Sequence, residues 1–378
     1  MKAKIQHIAI LTTSHPALDD RFFYHFASTL RDEGCQTAIF VTTKTEDRIV
    51  DGILVRGIEN TLAKAKKITW FVEQLLESNP NTVICVDPLT VLAAKKYKKQ
   101  SKKNVLIVYD ITEWYPSKKN IEELKGFKKL VKVFTLFFFG LYAVAKADKL
   151  IEGEYYKGRF YRFFLFWKPI KRISYYPSQS YIKYTPIEAN KNKVTLAYTG
   201  RISIEKGTGV FLKVAESIAQ NNPNTKIKAV LLGRVDSEKD RENIQRLMPK
   251  IHNLEITWSE EVPYQEYIKR LADFDVLFDL RVADFENQHC LPIKLFYYMA
   301  VGRPFIYTKL KAITQALGEE VGGFLVDPND TLSIIKATQQ YIDSPIKMQE
   351  DANRGRALYL RKYNWEKIKI EFLDWVLK

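Results

Sequence analysis

The sequence is poor in residues that support metal or redox chemistry. It contains three cysteines, five histidines and four methionines in 378 residues. The cysteines, Cys35, Cys85 and Cys290, are odd in number and widely spaced, which excludes a disulfide scaffold and the paired spacing of a zinc or thiol redox site. We therefore expect a protein of a reducing compartment, the cytoplasm, whose thiols lie in the core or in loops.

A hydrophobic run long enough to span a bilayer is also lacking. The apolar stretch 133–145, VFTLFFFGLYAVA, is shorter than the ~20 residues of a spanning helix. The first twenty residues have too short an apolar run for a signal peptide, so they predict a first strand. Stretch 133–145 follows the basic segment 125–132, and two interpretations stay open. It is either a helix lying on an anionic membrane surface or a buried core helix with a solvated basic start.

Acidic residues are scarce in the first half of the chain. Residues 1–200 contain 33 Lys and Arg against 19 Asp and Glu, whereas residues 201–378 contain 26 against 25. The amino-terminal half therefore carries almost all of the net charge of +15. Its lysines cluster at 63–67, 95–103 and 125–132, which gives the predicted amino-terminal domain a surface suited to anionic partners.

Short apolar segments alternate with amphipathic segments through both halves. Such alternation predicts an α/β protein with parallel sheets covered on both faces, in two doubly wound, Rossmann-like domains. The polar stretch 178–193 is the predicted boundary, with domains at 1–182 and 190–360. The predicted strands are His7–Leu11, Thr37–Val41, Thr82–Cys85, Val105–Tyr109, Val194–Tyr198, Ile227–Leu232, Val276–Asp279 and Phe305–Tyr307, with amphipathic segments near 20–32, 60–77 and 88–100.

The loops that follow these strands are the expected site. In open α/β sheets, ligands bind beyond the carboxyl ends of the strands, and two such domains facing each other form a cleft. The strongest signal is LAYTGRISIEKGTGVFLKVAESI, residues 196–218. Gly200 permits close approach of a ligand, while Arg201 and Lys206 bring cations to a helix that opens after Gly207. This pattern favours a diphosphate ligand; the alternative is a turn with solvated charges.

A second element is HCLPIKLFYYMAVGRPFIY, residues 289–307. Pro292 suits the first turn of a helix, Gly302 can end that helix in a left-handed conformation, and Pro304 prevents its return. Residues Phe305–Tyr307 then form the next buried strand. The predicted buried stripe of the helix is Leu295, Phe296, Met299 and Ala300.

The Gly-Arg and Glu-Lys-Gly residues of stretch 196–218 resemble a segment of the family 4 glycosyltransferases, which are retaining enzymes of the GT-B fold. The resemblance covers most of the chain, with the motifs in the family's order. It implies that residues 361–378 form a helix crossing back to the first domain. The other similar segments are HPALDDRFFYHFASTLRDEG (15–34), VDPLTVLAAKK (86–96), VYDITEW (108–114), LPIKLFYYMAVGRPFIYT (291–308), GGFLVDPND (322–330) and YNWEKI (363–368).

The resemblance implies roles for particular residues. Arg201 and Lys206 would grip the diphosphate of a nucleotide sugar and Glu286 would face the sugar, so these three are the implied catalytic residues. No cofactor is implied besides this donor substrate, and no Asp-x-Asp pair suited to a metal–diphosphate complex is present, so we expect no metal site. The implied donor-binding residues are Gly200, Gly207, Asn287, His289, Leu291, Pro292 and Tyr297.

The sequence departs from the family pattern at three positions. The family generally has an acidic residue for the ribose hydroxyls where this chain has Tyr297, and it often has histidines where this chain has Val86 and Thr112. A carboxylate accepts charge-assisted hydrogen bonds worth about 1.5–3 kcal/mol each, whereas a phenol offers one neutral oxygen. The sequence therefore predicts a weakened donor site.

Three residues of the first half are candidates for the acceptor side. His15 could contact the acceptor or the sugar, or could be a structural loop histidine beside Pro16. Asp110 and Glu113 could orient an acceptor hydroxyl, or could cap the following segment. The segment 154–172 mixes aromatic and basic residues, but it lacks a nucleic-acid-binding module. We expect no nucleic-acid partner, and the segment suits a lipid-diphosphate acceptor or core packing.

The sequence thus predicts a cytoplasmic transferase, peripheral to the inner face of the membrane. It would move a sugar from a nucleotide-diphosphate donor to a glycan or a polyprenyl-linked glycan. One alternative is a degenerate GT-B protein that serves as a scaffold or regulator of glycan assembly. Another is a nucleotide-sugar epimerase, which would convert the donor without an acceptor.

Overall fold

The chain forms two compact α/β units. The computed structural model describes residues 5–113, 115–117, 120–187, 192–235, 237–319 and 321–378. One unit comprises Met1–Tyr175 with Ile368–Lys378, and the other comprises Tyr176–Lys367.

The first unit is built on a sheet of eight strands within the described residues. Its order is β3-β4-β2-β1-β5-β6-β7-β8, and all neighbours are parallel except β3 and β4. The central strands are apolar and buried because helices cover a parallel sheet on both faces. The strands are β1 (His7–Thr12), β2 (Gln36–Val41), β3 (Arg48–Val50), β4 (Ile53–Gly57), β5 (Thr82–Cys85), β6 (Leu106–Ile111), β7 (Lys149–Glu152) and β8 (Ile170–Arg172).

Helices connect these strands. A π-helical segment, Asp20–Ala27, begins where the Asp19 carboxylate accepts hydrogen bonds from the amides of Arg21 and Phe22. No helix in the described part of the chain is long and apolar enough to cross a membrane. The α-helices are α1 (Ser28–Asp32), α2 (Lys64–Ser78), α3 (Pro88–Ser101), α4 (Gly126–Lys146) and α5 (Tyr155–Phe164).

The second unit contains a six-stranded, wholly parallel sheet in the described residues. Its order is β11-β10-β9-β12-β13-β14. The strands are β9 (Lys193–Thr199), β10 (Lys226–Leu232), β11 (Leu254–Ser259), β12 (Val276–Asp279), β13 (Phe305–Thr308) and β14 (Gly323–Val326). The helices are α6 (Thr208–Asn221), α7 (Glu238–Arg246), α8 (Tyr264–Leu271), α9 (Phe285–Gln288), α10 (Ile293–Ala300), α11 (Lys311–Leu317), α12 (Thr331–Asp343) and α13 (Pro345–Arg361). The last helix, α14 (Trp365–Leu377), begins in this unit and continues into the first.

The predicted α/β architecture of two Rossmann-like domains is confirmed, and all eight predicted strands are present with ends that differ by at most two residues. The prediction missed strands at the sheet margins, among them β3 and β8, which have three residues each. Residues of β3 and β8 are exposed or half-buried, so these strands lack the continuous apolar pattern that identifies a buried strand.

Helix α10 follows the prediction closely. It begins after Pro292, and all four residues of the predicted stripe are buried. Gly302 has a φ of 65°, the left-handed conformation that ends the helix before β13 starts at Phe305.

The last helix packs on the first unit. The ring of Phe372 stacks on Phe26 with centroids 4.2 Å apart. The indole of Trp375 donates a hydrogen bond to the carbonyl of Leu150 at 3.1 Å, and Lys149 Nζ donates to the carbonyl of Trp375 at 3.0 Å. The chain enters the second unit at Tyr176 and leaves it after Lys367, whereas the sequence-based boundaries were 182–190 and 361.

A buried ion pair fixes the start of the π-helical segment against β6. The guanidinium of Arg21 donates to both carboxylate oxygens of Asp110, at 2.6 and 3.0 Å, and Nη2 donates to the carbonyl of Ile173 at 2.9 Å. Asp110 is fully buried. The contacts with Arg21 thus supply the hydrogen bonds that a buried carboxylate needs.

We expect Arg21→Met to lower the free energy of unfolding by about 3–5 kcal/mol, because it leaves the Asp110 carboxylate buried without its cation. Arg31→Met is the matched control, since Arg31 pairs with Asp32 at the surface and such a pair contributes about 0–1 kcal/mol. Urea denaturation, with hydrogen exchange of the β6 amides, measures both. Equal effects of the two substitutions would contradict this account.

Candidate functional site

Three loops interlock at the carboxyl ends of β9, β10 and β12. They contain Gly200, Gly207 and Gly233, which have φ values of 101°, 88° and 153°. A Cβ on Gly233 would lie 1.7 Å from the carbonyl oxygen of Gly200, and one on Gly207 would lie 2.1 Å from that of Leu280. Only residues without a side chain permit these contacts, so the three loops form one close-packed surface.

The loop between β9 and α6 is held by side chains of the adjoining strand and helix. The hydroxyl of Tyr198 donates to the carbonyl of Lys206 at 2.6 Å. The amide of Lys206 donates to Ser203 Oγ, and the amide of Ser203 donates to Thr208 Oγ1, each at 3.2 Å. The backbone that carries Arg201 and Lys206 is thereby fixed, with the Arg201 side chain exposed and Lys206 half-buried.

A buried carboxylate at the end of β12 organises the cations beside this loop. The Asp279 side chain is 1% exposed. Its Oδ2 lies 2.5 Å from Arg281 Nη2 and 2.6 Å from Lys294 Nζ, and it accepts a hydrogen bond from the Tyr307 hydroxyl at 2.9 Å. Lys294, in the first turn of α10, also donates to the carbonyl of Thr199 at 2.7 Å. Strands β9, β12 and β13 and helix α10 are thus tied together by one polar cluster.

The cluster is electrostatically asymmetric. Burial opposes ionisation of Asp279, but Arg281 and Lys294 outweigh burial and hold the pKa of Asp279 far below its ordinary value. Burial lowers the pKa of Lys294, and the charges of Arg281 and Lys206 lower it further against the attraction of Asp279. Lys206 is therefore close enough to act on Lys294. One carboxylate can balance only one of these three cations.

This arrangement is suited to an anion. Gly200 brings its backbone so close to Lys294 that a Cβ would lie 2.9 Å from Nζ. The first-turn amides of α10 lie next to the same lysine and add the positive end of the helix dipole. Fixed cations beside a helix amino terminus are typical of sites that bind phosphate or diphosphate groups.

The loop between β12 and α10 contains the other predicted donor-site residues. Its short helix α9 is capped by Asp284, whose carboxylate accepts from the amide of Asn287 at 2.9 Å. The side chain of Asn287 donates to the carbonyl of Val282 at 2.9 Å, and the ring of His289 lies with Nδ1 2.8 Å from the carbonyl of Phe285. Glu286 is half-buried in this helix.

Leu291 and Pro292, which close the loop, are buried. Leu291 belongs to the hydrophobic core formed around α10, and Pro292 is the residue that precedes the helix. These two residues anchor the loop and set the position of the α10 amino terminus.

Tyr297 lies in a cluster of phenols and not in an open polar pocket. It is 2% exposed, and its hydroxyl donates to the hydroxyl of Tyr264 at 3.2 Å. Its ring makes edge contacts with Tyr264 and Tyr267, with centroids 5.8 and 6.2 Å apart. The aromatic cluster therefore replaces the carboxylate that the family pattern places here.

The candidate acceptor residues lie in the first unit. His15 Nδ1 is 3.1 Å from Asp19 Oδ2. Burial lowers the pKa of His15, but the hydrogen bond and charge of Asp19, with Glu113 nearby, outweigh burial and leave that pKa above its ordinary value. His15 Nε2 is buried and has no hydrogen-bond partner among the described residues. His15 and the exposed Glu113 therefore lie near each other, whereas Asp110 is paired with Arg21.

The positions of the two missing family histidines are occupied differently. Val86 is 2% exposed and directly follows β5. Thr112 follows β6, and its carbonyl accepts a hydrogen bond from Lys157 Nζ. Neither side chain offers an ionisable group.

Sequence reasoning missed Asp279, Arg281 and Lys294 as site residues. In the sequence, Lys294 is a lone cation in the otherwise apolar segment of α10, and Arg281 is a cation two residues after a buried strand. Across the described residues, no group of three or more His, Cys, Asp or Glu side chains could hold a metal ion.

Residues 193–344 match the model of the family Glycosyl transferases group 1. A comparison with curated proteins finds no match in sequence. Solved structures with the same fold include a sucrose-phosphate synthase from Thermosynechococcus elongatus, with 13% identity, a TM-score of 0.74 and 98% of each chain covered.

Anabaena HepE in complex with UDP-glucose is also similar, with 13% identity and a TM-score of 0.69 over 97% of this chain and 98% of that one. The E. coli trehalose-6-phosphate structure bound with UDP-2-fluoro glucose has 10% identity and a TM-score of 0.70 over 98% of each chain. The resemblance seen in the sequence is confirmed: residues 193–344 match the model of Glycosyl transferases group 1, and the chain as a whole has the GT-B fold of these structures.

Proposed function

We propose that this protein transfers a sugar from a nucleotide-diphosphate donor to a glycan or lipid-linked glycan acceptor, with retention of configuration. The observation that carries the proposal is the cluster in which Arg281 and Lys294 share a single buried carboxylate, Asp279, while Lys206 is near enough to act on Lys294. Arg201, exposed in the same loop as Lys206, adds a fourth cation. The HepE structure in complex with UDP-glucose has the same fold, which supports a donor of this class.

The chemistry required of these cations is stabilisation of a leaving group. As the bond between sugar and diphosphate breaks, negative charge grows on the phosphate oxygen. Fixed cations and helix amides stabilise that charge without reorganisation, because they are already held by Asp279 and by the Gly200 loop. In transfer on one face of the sugar, the departing phosphate accepts the proton of the incoming hydroxyl, so the proposal needs neither a protein base nor a metal.

The remaining roles are assigned to the loop between β12 and α10 and to residues of the first unit. Glu286 and the backbone of the Asn287–Leu291 loop orient the sugar, and Tyr297 borders the ribose. On the acceptor side, His15 Nε2 is a buried nitrogen without a hydrogen-bond partner among the described residues. We assign it to hydrogen bonding with the acceptor hydroxyl, with Glu113 beside it.

A second function has one observation in its favour. The phenol at position 297 is almost fully buried and pairs with Tyr264, so the chain lacks the usual charged partner for ribose. A GT-B protein with a weakened donor site could act as a scaffold or regulator. That alternative predicts no stabilisation by nucleotides at millimolar concentrations.

Nucleotide binding can be tested by thermal melting. We expect UDP, GDP, ADP or dTDP, or a corresponding nucleotide sugar, to raise the melting midpoint of the wild type. Lys294→Met should reduce affinity by about 10- to 150-fold, because it removes one charge-assisted contact of about 1.5–3 kcal/mol. Lys309→Met is the control, since Lys309 pairs with Glu319 at the surface. No response of the wild type to the whole panel would favour the scaffold.

Turnover tests the role of Arg201. With the donor identified by melting and a membrane extract as acceptor source, we expect Arg201→Ala to lower kcat by about 10²–10³-fold, the usual effect of removing one group that stabilises transition-state charge. Donor affinity should fall less, because three other cations remain. Unchanged turnover of radiolabelled donor by Arg201→Ala would exclude this role.

Tyr297→Glu tests the altered ribose position. We expect the melting midpoint without ligand to fall, because a carboxylate is buried among aromatic rings. The rise induced by nucleotide should become larger than in the wild type, because the ribose hydroxyls then donate to a carboxylate. Tyr297→Phe is the control for loss of the phenol alone. An unchanged nucleotide-induced rise in Tyr297→Glu would mean that the ribose is held elsewhere.

A further inference from the structure

Helix α4 presents an apolar stripe to solvent. Phe127, Val131, Phe134, Phe138 and Tyr142 are exposed and recur three or four residues apart, so they lie on one face of the helix. The exposed fractions reach 78% at Phe127 and 61% at Phe138. A stripe of this kind normally faces the core of a soluble domain, and its exposure here requires an explanation.

The core of the first unit does not account for the stripe, because α4 packs on that unit through a different face. Its buried residues are Leu136, Gly140, Ala143 and Val144. Two of them, Gly140 and Ala143, are small, which lets the helix approach its neighbours closely. A Cβ on Gly140 would lie 2.9 Å from Cβ of Tyr115. The larger apolar side chains are therefore left on the outside.

The apolar surface continues from α4 onto α5 and the turn after it. Phe137 of α4 makes edge contacts with Phe160 and Phe164 of α5, with centroids 6.2 and 5.6 Å apart. Beyond them, Phe163 and Phe166 are each 80% exposed and Trp167 is 60% exposed. We call these exposed residues of 127–142 and 163–167 the aromatic surface.

Basic residues border the aromatic surface. Helix α4 contains four lysines and residues 155–168 contain four Lys and Arg, while neither segment contains Asp or Glu. Lys128 and Lys129 are exposed in the first turn of α4, beside Phe127. At the other end, Lys146 Nζ lies 5.3 Å from the centroid of the Tyr142 ring, and Lys168, the residue next to Trp167, donates from Nζ to the carbonyl of Ala147 at 2.5 Å. Cations therefore lie at both ends of the aromatic surface.

We propose that the aromatic surface binds an anionic lipid bilayer, with its rings in the boundary between headgroups and acyl chains and its lysines on the headgroup phosphates. An amphipathic helix of this composition lies in the plane of a membrane. Trp and Phe suit the interface, and long lysine side chains reach the phosphates while their stems stay on apolar surface. The surface is separate in sequence from the anion site of the second unit.

Charge complementarity favours lipid over a second protein. A protein partner would have to offer an apolar groove framed by acidic groups, whereas an anionic bilayer supplies both features at every point of its surface. A second copy of this chain would bring the same lysines together and would be repelled. The excess of Lys and Arg over Asp and Glu in the first half of the chain also favours an anionic partner.

Vesicle flotation tests the proposal with the full-length protein. We expect it to float with vesicles of phosphatidylcholine and phosphatidylglycerol, much less with phosphatidylcholine alone, and less at high salt. Lys128→Gln/Lys129→Gln/Lys132→Gln should weaken binding to anionic vesicles by about fivefold for each cation. Phe127→Ser/Phe134→Ser/Phe138→Ser should weaken it by at least about tenfold.

Matched controls come from the second unit. Leu332→Ser/Ile346→Ser removes apolar residues that are 79% and 73% exposed, and Lys239→Gln/Lys250→Gln removes two exposed lysines. Neither should change flotation. Brominated lipids should quench tryptophan fluorescence of the wild type, and Trp167→Phe should lose part of that quenching. This conservative variant gives a readout even if the triple variants fold poorly.

Two results would overturn the proposal. One is wild-type protein that stays in the soluble fraction with anionic vesicles. The other combines two observations on the Phe127→Ser/Phe134→Ser/Phe138→Ser variant: it floats with vesicles like the wild type, but it loses a self-association that sedimentation velocity detects in the wild type. The aromatic surface would then be a contact between copies of the chain. Nucleotide-induced melting shifts are unaffected in either case, so this test is independent of the donor site.

Discussion

The carboxylate of Asp279 holds the cations of the second unit in place. Without it, Arg281 and Lys294 would repel each other and turn toward solvent, because desolvated like charges are unstable unless a counter-charge fixes them. With it, Lys294 is aimed between the end of β9 and the start of α10, next to the glycine-lined loop. One buried acid thus fixes two cations beside this loop.

The buried ion pairs of the two units differ in their balance of charge. Arg21 and Asp110 satisfy each other inside the first unit, and Arg21 gives further donors to backbone carbonyls. That pair leaves no net charge for a substrate. The cluster at Asp279 has more cations than carboxylates, and such an imbalance in a partly buried place is typical of an anion-binding site.

The departures from the family pattern form a coherent local change. Tyr297 does not stand as an isolated phenol in a polar site, because Tyr264 and Tyr267 pack around it and Tyr264 accepts its hydrogen bond. Where the family pattern has a carboxylate that binds the ribose hydroxyls, this chain has packed aromatic rings. The position therefore offers an apolar surface in place of charged hydrogen-bond acceptors. In the first unit, Val86 is likewise a buried apolar residue directly after β5.

The sequence by itself determined the alternation of strands and helices, the α10 element between Pro292 and Gly302, and the loop with Arg201 and Lys206, because periodicity and turn residues are local signals. Only the tertiary structure decided that Asp279, Arg281 and Lys294 meet, since residues far apart in sequence are brought together by strand order. It also decided that Asp110 is engaged by Arg21. Finally, it showed which face of α4 is buried, because the pattern of aromatic and basic residues is the same for a core helix and for one that lies on a membrane.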